Sequence, residues 1–183
     1  MLSIHEITIE DFEEDIYNRY LKLFPKEERR EWSTIKKAYQ NGYEKFYKIV
    51  DDGSTIGFYI LGKITNYPYY LDYFAIYEEY QSQGYGSKAI KKLLEDVIKD
   101  DGLIGEIEKV SDTDLITQKR WQFYEKLGFK KINNLYFSFN GVVFNLIIYP
   151  ENYPLARIGD ILMDYYKINI GEEETNKVCR VIK

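Results

Sequence analysis

The chain switches between two hydrophobic periods, and each switch marks an element. Residues 2–7 have the apolar alternation of a short strand, and Thr8-Ile9-Glu10-Asp11 has the form of a capping box. Phe12, Ile16, Tyr20 and Leu23 recur at helical spacing until Pro25 ends the run. A more polar helix is expected over residues 27–39, closed by Asn41-Gly42. From Tyr43 the period falls to two. Strands are expected over 45–50 and 55–64 about an Asp52-Gly53 hairpin turn, and an apolar strand over 70–76. Ile90, Leu93, Leu94, Val97 and Ile98 then hold one helical face as far as Asp101-Gly102. A strand over 103–108 follows. Ser111-Asp112-Thr113-Asp114 caps a helix whose Ile116, Arg120, Phe123 and Leu127 are predicted to share a face. Residues 129–139 and 142–149 read as a closing hairpin about Asn140-Gly141. Beyond Pro150, Leu155, Ile158, Ile161, Leu162 and Tyr165 suggest a short amphipathic helix, and the last dozen residues read as a polar, mobile tail. The order β-α-α-β-β-β-α-β-α-β-β, with hairpins on both sides of a β-α-β unit, implies a mixed sheet.

Composition narrows the chemistry. With 183 residues and 45% apolar content the chain can bury a core without a metal or disulfide. The net charge is −5, with Lys and Arg interleaved among acids, which argues against a nucleic-acid partner. One cysteine and one histidine exclude a Cys/His zinc site, a CxxC redox pair and an intrachain disulfide. A Ser-His-Asp triad would need His5, which reads as an exposed or hydrogen-bonded strand residue. No basic segment followed by an apolar stretch follows Met1, and no apolar run approaches the roughly 20 residues that span a bilayer. A cytoplasmic protein with no membrane partner is expected. The 19 tyrosines and 10 phenylalanines serve either core packing or, at Tyr67, Tyr69, Tyr70 and Tyr73, an aromatic-lined pocket.

The most informative stretch is Gln81-Ser82-Gln83-Gly84-Tyr85-Gly86-Ser87, placed between a strand and a helix. Gly84-x-Gly86-x-x-Ala89 matches the dinucleotide fingerprint, with Glu106 and Glu108 about 20 residues on. That fingerprint belongs to a run of parallel βαβ crossovers, whereas this loop follows an antiparallel-looking pair. A Walker A loop fails because Gly86-Ser87-Lys88 lacks the required order. A tight turn alone is the plain alternative. Glycines that admit close approach, before a helix N-terminus with free N–H groups, nevertheless make the loop a pyrophosphate cradle.

On these residues the sequence resembles the GNAT acetyltransferase superfamily. The run Ile76-Tyr77-Glu78-Glu79-Tyr80-Gln81-Ser82-Gln83-Gly84-Tyr85-Gly86-Ser87 is similar to its acetyl-CoA motif, Q/R-x-x-G-x-G/A. Arg120-Trp121-Gln122-Phe123-Tyr124-Glu125-Lys126-Leu127-Gly128-Phe129 resembles the family's closing helix, with its Tyr-x-x-x-Gly-Phe signature. Leu23-Phe24-Pro25-x-Glu27-Glu28-Arg29 and Glu106-Ile107-Glu108 are less specific matches. Ser82 stands where many members have Gly, and Thr117 near where many have Asn. The resemblance implies an α+β fold: a central mixed, mostly antiparallel twisted sheet of about seven strands flanked by about four helices. It covers residues 1–149 as an acetyltransferase domain and leaves 150–183 as a C-terminal extension.

The resemblance implies acetyl-CoA as co-substrate, no metal, and direct transfer of the acetyl group to a primary amine. No activated Ser or Cys nucleophile is visible, which agrees with direct transfer. Ile76, Gln81, Ser82, Gln83, Gly84, Tyr85, Gly86 and Ser87 would bind acetyl-CoA. Tyr124 occupies the position of the family's acid, and a phenol can protonate a leaving thiolate. Glu106 and Glu108 share a strand face. Glu108 is taken as the base, with Glu106, Glu78 and Glu79 as rivals. Glu27, Glu28, Trp32 and residues 67–70 would frame the acceptor, where acids and aromatics favour a small cationic amine over a peptide N-terminus, with polyamine, aminoglycoside, amino acid and peptide acceptors all open. A non-catalytic CoA-binding or interaction module is the alternative, and the 155–165 stretch leaves room for a homodimer.

Overall fold

A computed structural model describes every residue except Leu155, and every side chain except those of Leu155 and Glu27. The predicted contribution of Leu155 to the C-terminal helix therefore lies outside the described residues. The chain divides into two compact units, residues 1–63 with 71–99 and residues 64–70 with 100–183.

In the first unit the strands run in the order β1 (Ser3–Ile7), β2 (Glu44–Asp51), β3 (Ser54–Gly62) and β4 (Tyr69–Ile76, of which Leu71 onward belongs here). β1–β2 and β2–β3 are antiparallel. The β2–β3 turn places Asp52 at φ +45° and Gly53 at φ +80°, the paired positive angles that the Asp-Gly turn was expected to supply. The predicted long N-terminal helix is two, α1 (Ile9–Asp15) and α2 (Tyr17–Leu23), because Ile16 at φ −119° interrupts the helical path. The Thr8 capping box is present, with Thr8 Oγ1 accepting from Asp11 N at 3.1 Å. The next helix is shorter than expected: Lys26–Glu28 is a 3-10 turn and α3 spans Trp32–Gln40. Phe12, Tyr20, Phe46 and Phe58 are fully buried against one another, with Phe12 and Phe46 ring centres 4.6 Å apart. Each such ring is worth roughly 2–3 kcal/mol relative to exposure. β3 is buried on both faces, and Gly57 is the point of closest approach: a Cβ there would lie 2.3 Å from the Ala75 carbonyl of β4. α4 (Tyr85–Leu93) buries Ala89, Ile90 and Leu93, and its last turn widens into a π-helix at Leu94–Ile98.

In the second unit the order is β5 (Leu103–Glu108), β7 (Val142–Tyr149), β6 (Lys130–Phe139) and β8 (Cys179–Ile182), with every pairing antiparallel. The closing hairpin thus lays its second strand between β5 and β6. α5 (Leu115–Glu125) buries Thr117 and Tyr124. Ile116, expected on the packed face, is exposed with Leu115, because Asp114 rather than the apolar positions sets where the helix starts. α6 (Ile158–Ile170) lays Ile158, Leu162, Tyr165 and Tyr166 against Ile104, Phe137, Leu146 and Ile148. The last dozen residues are no mobile tail. They form α7 (Glu172–Val178) and β8, with Cys179 buried and β8 paired to β6, which brings the described strands to eight.

Candidate active site

The glycine loop lies wholly in the first unit. β4 ends at Ile76, and the Tyr77 amide donates back to Ile56 O at 2.8 Å, which fixes where the strand stops. A 3-10 turn (Glu78–Tyr80) follows. Gln81 Nε2 donates to Ile76 O at 2.8 Å, and Gln83 Nε2 donates to Glu79 O at 3.0 Å, so two side chains of the motif brace its own backbone. The turn then needs left-handed residues twice, Ser82 at φ +61° and Gly84 at φ +81°. Gly84 suits that angle without strain, whereas Ser82 adopts it with a side chain attached. Gly84 is the N-cap of α4 and no side chain caps the helix. The amides of Tyr85, Gly86 and Ser87 begin the helix without intrahelical acceptors, on a solvent-facing loop with the helix dipole behind them. Such a terminus accepts an anion. Tyr85 itself turns away, its hydroxyl donating to Asp51 at 2.9 Å.

Of the rival acids, Glu79 is held by Arg19 at 2.7 and 3.2 Å, and Arg19 also lies over the Tyr77 ring. A hydrogen bond from its own amide, with that guanidinium, lowers the Glu79 carboxyl below its usual range. Glu78 is exposed. In the second unit, Glu108 forms an ion pair with Arg120 of α5, and Glu106 accepts from Tyr166 of α6 at 3.4 Å. Tyr124 is buried between Phe123 and Phe129. Burial pushes its phenol up to about 12, with Arg120 pulling it down and Glu108 raising it. It therefore stays protonated across neutral pH. Thr117 is engaged within its own loop: its hydroxyl donates to Asp114 O at 3.0 Å and accepts from Ser111 N at 3.1 Å.

The acceptor candidates separate. Tyr70 packs against Tyr165 in the core of the second unit, and Tyr73 against Tyr20 and Phe24 in that of the first, so both are core residues rather than pocket walls. Tyr67 donates to Asp164 at 2.9 Å. Trp32 stacks on Phe12 and donates to Glu13 at 3.1 Å. His5 is exposed on β1 beside Ser3, 2.9 Å away.

One group of residues went unread in the sequence. Arg30 is buried in ion pairs with Glu44 and Asp72, its amide donates to the Tyr20 and Tyr73 hydroxyls at 3.0 and 3.1 Å, and Tyr73 donates to Glu28 O at 2.7 Å. This knot ties the 28–30 segment to β2 and β4. Burial raises the Asp72 carboxyl against the opposing pull of Arg30. The only local signal was an acid inside the apolar run of β4. Among the described residues no three His, Cys, Asp or Glu side chains gather to hold a metal, and no helix is long and apolar enough to cross a membrane.

With this geometry, the sequence model of the GNAT acetyltransferase family matches residues 7–129. The chain belongs to that family and is an acyltransferase by that membership. Its fold is shared by a protein from Bacteroides thetaiotaomicron assigned to the GNAT acetyltransferases, at TM-score 0.80 and 21% identity over 92% of this chain and 98% of that one. A GNAT acetyltransferase from Elizabethkingia anophelis with acetyl-CoA bound matches at TM-score 0.60 and 17% identity, over 80% and 96% of the two chains. Mutant forms of the spermidine/spermine N-acetyltransferase from Vibrio cholerae match at TM-score 0.60 and 15% identity, over 86% and 99%. No curated protein sequence matches the chain.

Proposed function

We propose that the chain is a cytoplasmic N-acetyltransferase that moves an acetyl group from acetyl-CoA directly to the primary amine of a small cationic acceptor. The observation that carries this reading is the glycine loop: a left-handed Gly84 at the uncapped N-terminus of α4, with Gln81 anchored to Ile76 O. Residues 81–87 would hold the pyrophosphate of acetyl-CoA through backbone amides, and β4 near Ile76 would receive the donor arm. Residues 1–149 are read as the acetyltransferase domain, with 150–183 as its extension.

In the transfer, the amine nitrogen attacks the thioester carbonyl carbon. The new C–N bond forms as the C–S bond breaks, the ammonium proton leaves to a base, and the thiolate takes a proton. Tyr124, neutral at the pH of the reaction, is the acid. Glu108, paired with Arg120, is the base, acting directly or through a water. A cationic acceptor agrees with the net charge of −5 and with a fold shared with polyamine acetyltransferases.

An amine screen by thiol release tests the activity, with polyamines, amino acids and an aminoglycoside as acceptors. Tyr124→Phe should lower kcat roughly 10²-fold or more with little change in acetyl-CoA affinity. Full turnover in that variant removes Tyr124 as the acid. An unchanged pH profile of kcat/KM in Glu108→Gln removes Glu108 as the base.

A further inference from the structure

Away from these residues, the second unit contains a cleft of about 180 Å³ beside an irregularity in β6. Lys131 pairs with Ile147 and Tyr136 with Asn145, so residues 132–135 stand opposite Leu146 alone and bulge from the ladder. Asn133 and Asn134 are exposed on that bulge, Asn134 at φ +58°. Lys109, at the end of β5, and Asn145 of β7 complete the walls.

The chemistry of these walls is one-sided. Lys109 Nζ lies 5.3 Å from the centre of the Tyr136 ring, and Lys131 Nζ lies 5.4 Å from that of Trp121. An aromatic face orients an ammonium without cancelling its charge, and neither lysine has an ion-pair partner among the described residues. Asn145 is only 6% exposed. Its Oδ1 accepts from the Val110 amide at 2.9 Å, and since an amide N–H can only donate, the orientation of the Asn145 side chain is fixed. The end that remains is Nδ2, two donors with no protein partner among the described residues. No carboxylate lines the cleft. Two held cations and an amide donor without a protein partner, carried by a residue only 6% exposed, face the cleft and can take an acceptor.

We propose that this cleft binds a small oxyanion of the phosphate class, with Asn145 Nδ2 as the amide donor and Lys109 and Lys131 as the balancing charges. The site is separate from the glycine loop and does not rest on the acetyltransferase reading. Direct hydrogen bonds from ammonium and amide groups to phosphate oxygens are the interactions that such donors make best.

The test is titration of the full chain with inorganic phosphate at constant ionic strength set by chloride, followed by amide NMR. Saturable shifts of the Asn145 side-chain amide and the Val110 backbone amide are expected. Asn145→Asp keeps the acceptor for Val110 and replaces the donor with a carboxylate oxygen. It should weaken phosphate roughly tenfold or more while leaving the rest of the spectrum in place. The Lys109→Met/Lys131→Met double variant, altered only at the rim, should do the same and guards against a folding defect in the first. Repeating the titration with CoA and 3′-dephospho-CoA identifies the source. A difference at Asn145 assigns the phosphate to CoA itself, and no difference leaves it a free ion. Shifts that do not saturate, or that persist undiminished in both variants, overturn the proposal.

Discussion

Replacing Gly57 with Ala tests the packing on which the site is built. The new Cβ would sit 2.3 Å from Ala75 O, against the 3.4 Å at which ordinary contact begins, so β3 and β4 must part by about 1.1 Å at that point. Ile49 Cδ1 and Ile76 Cδ1, at 3.2 and 3.1 Å, are side-chain tips that can rotate aside, but the carbonyl is backbone and cannot. Overpacking of this kind costs about 1–3 kcal/mol, partly offset by the roughly 0.4–1 kcal/mol that Ala gains over Gly by restricting the unfolded chain. A net loss of about 1–2 kcal/mol should appear as a lower urea midpoint with an unchanged slope. Ala75 immediately precedes Ile76, whose carbonyl anchors Gln81, so acetyl-CoA affinity should fall in the same variant. Gly53→Ala supplies the contrast. Its Cβ meets nothing within 4 Å, but its φ of +80° strains any side chain, so it should lose stability and keep acetyl-CoA affinity. A Gly57→Ala protein within 0.5 kcal/mol of the parent, taken here as roughly the effect of a neutral surface change, would refute the reasoning.

Three further outcomes follow from the described contacts. Asp114→Ala removes the acceptor for Ile116 N and Thr117 N at 2.8 and 3.4 Å, and should cost about 1 kcal/mol by urea melt. Arg30→Met should cost about 3–5 kcal/mol at pH 7.5, because Asp72 and Glu44 lose the guanidinium they contact. Without Arg30 the folded-state pKa of buried Asp72 rises further, so this penalty is present above the unfolded carboxylate value and fades as pH falls toward it. An equal loss at pH 5 and pH 7.5 would contradict that. Burial pushes Tyr20, Tyr77 and Tyr124 each up to about 12, so their folded-state pKa lies above the unfolded value near 10. That contribution is complete below pH 10 and is lost as pH rises toward 12, by roughly 2–3 kcal/mol for each at most. A flat urea midpoint between pH 9.5 and pH 11.5 would exclude it.

What could be read from the sequence was local. The Asp52-Gly53 turn, the strand over 103–108 and the strand–loop–helix about Gly84 are set by residues within a few positions of one another, and each formed as expected. Arg30, Glu44 and Asp72 meet from three separate elements, and no spacing announces a partnership across 42 residues. The last strand shows the same limit. Cys-Arg-Val-Ile is too short to declare itself, and only its pairing with β6 makes it a strand. On α5, apolar periodicity suggested Ile116 and Phe123, while the Asp114 cap fixed the register and buried Thr117 and Tyr124. The loop residues of the site were legible because backbone angle and glycine content are local properties. Which carboxylates are engaged was not, because Arg19 with Glu79 and Tyr166 with Glu106 are each 60 residues apart.

The measurement that bears most directly on the central claim is calorimetric titration of acetyl-CoA into the parent chain and Gly84→Glu, with NADH in parallel. Nothing lies within 4 Å of a Gly84 Cβ, so the glutamate meets no clash; at φ +81° it costs some stability, as at Gly53, and it sets a carboxylate at the α4 N-terminus. The account predicts saturable binding of acetyl-CoA and none of NADH by the parent, with acetyl-CoA binding lost in a variant of unchanged far-ultraviolet dichroism. Binding of NADH instead, or acetyl-CoA binding untouched by the glutamate, would contradict it.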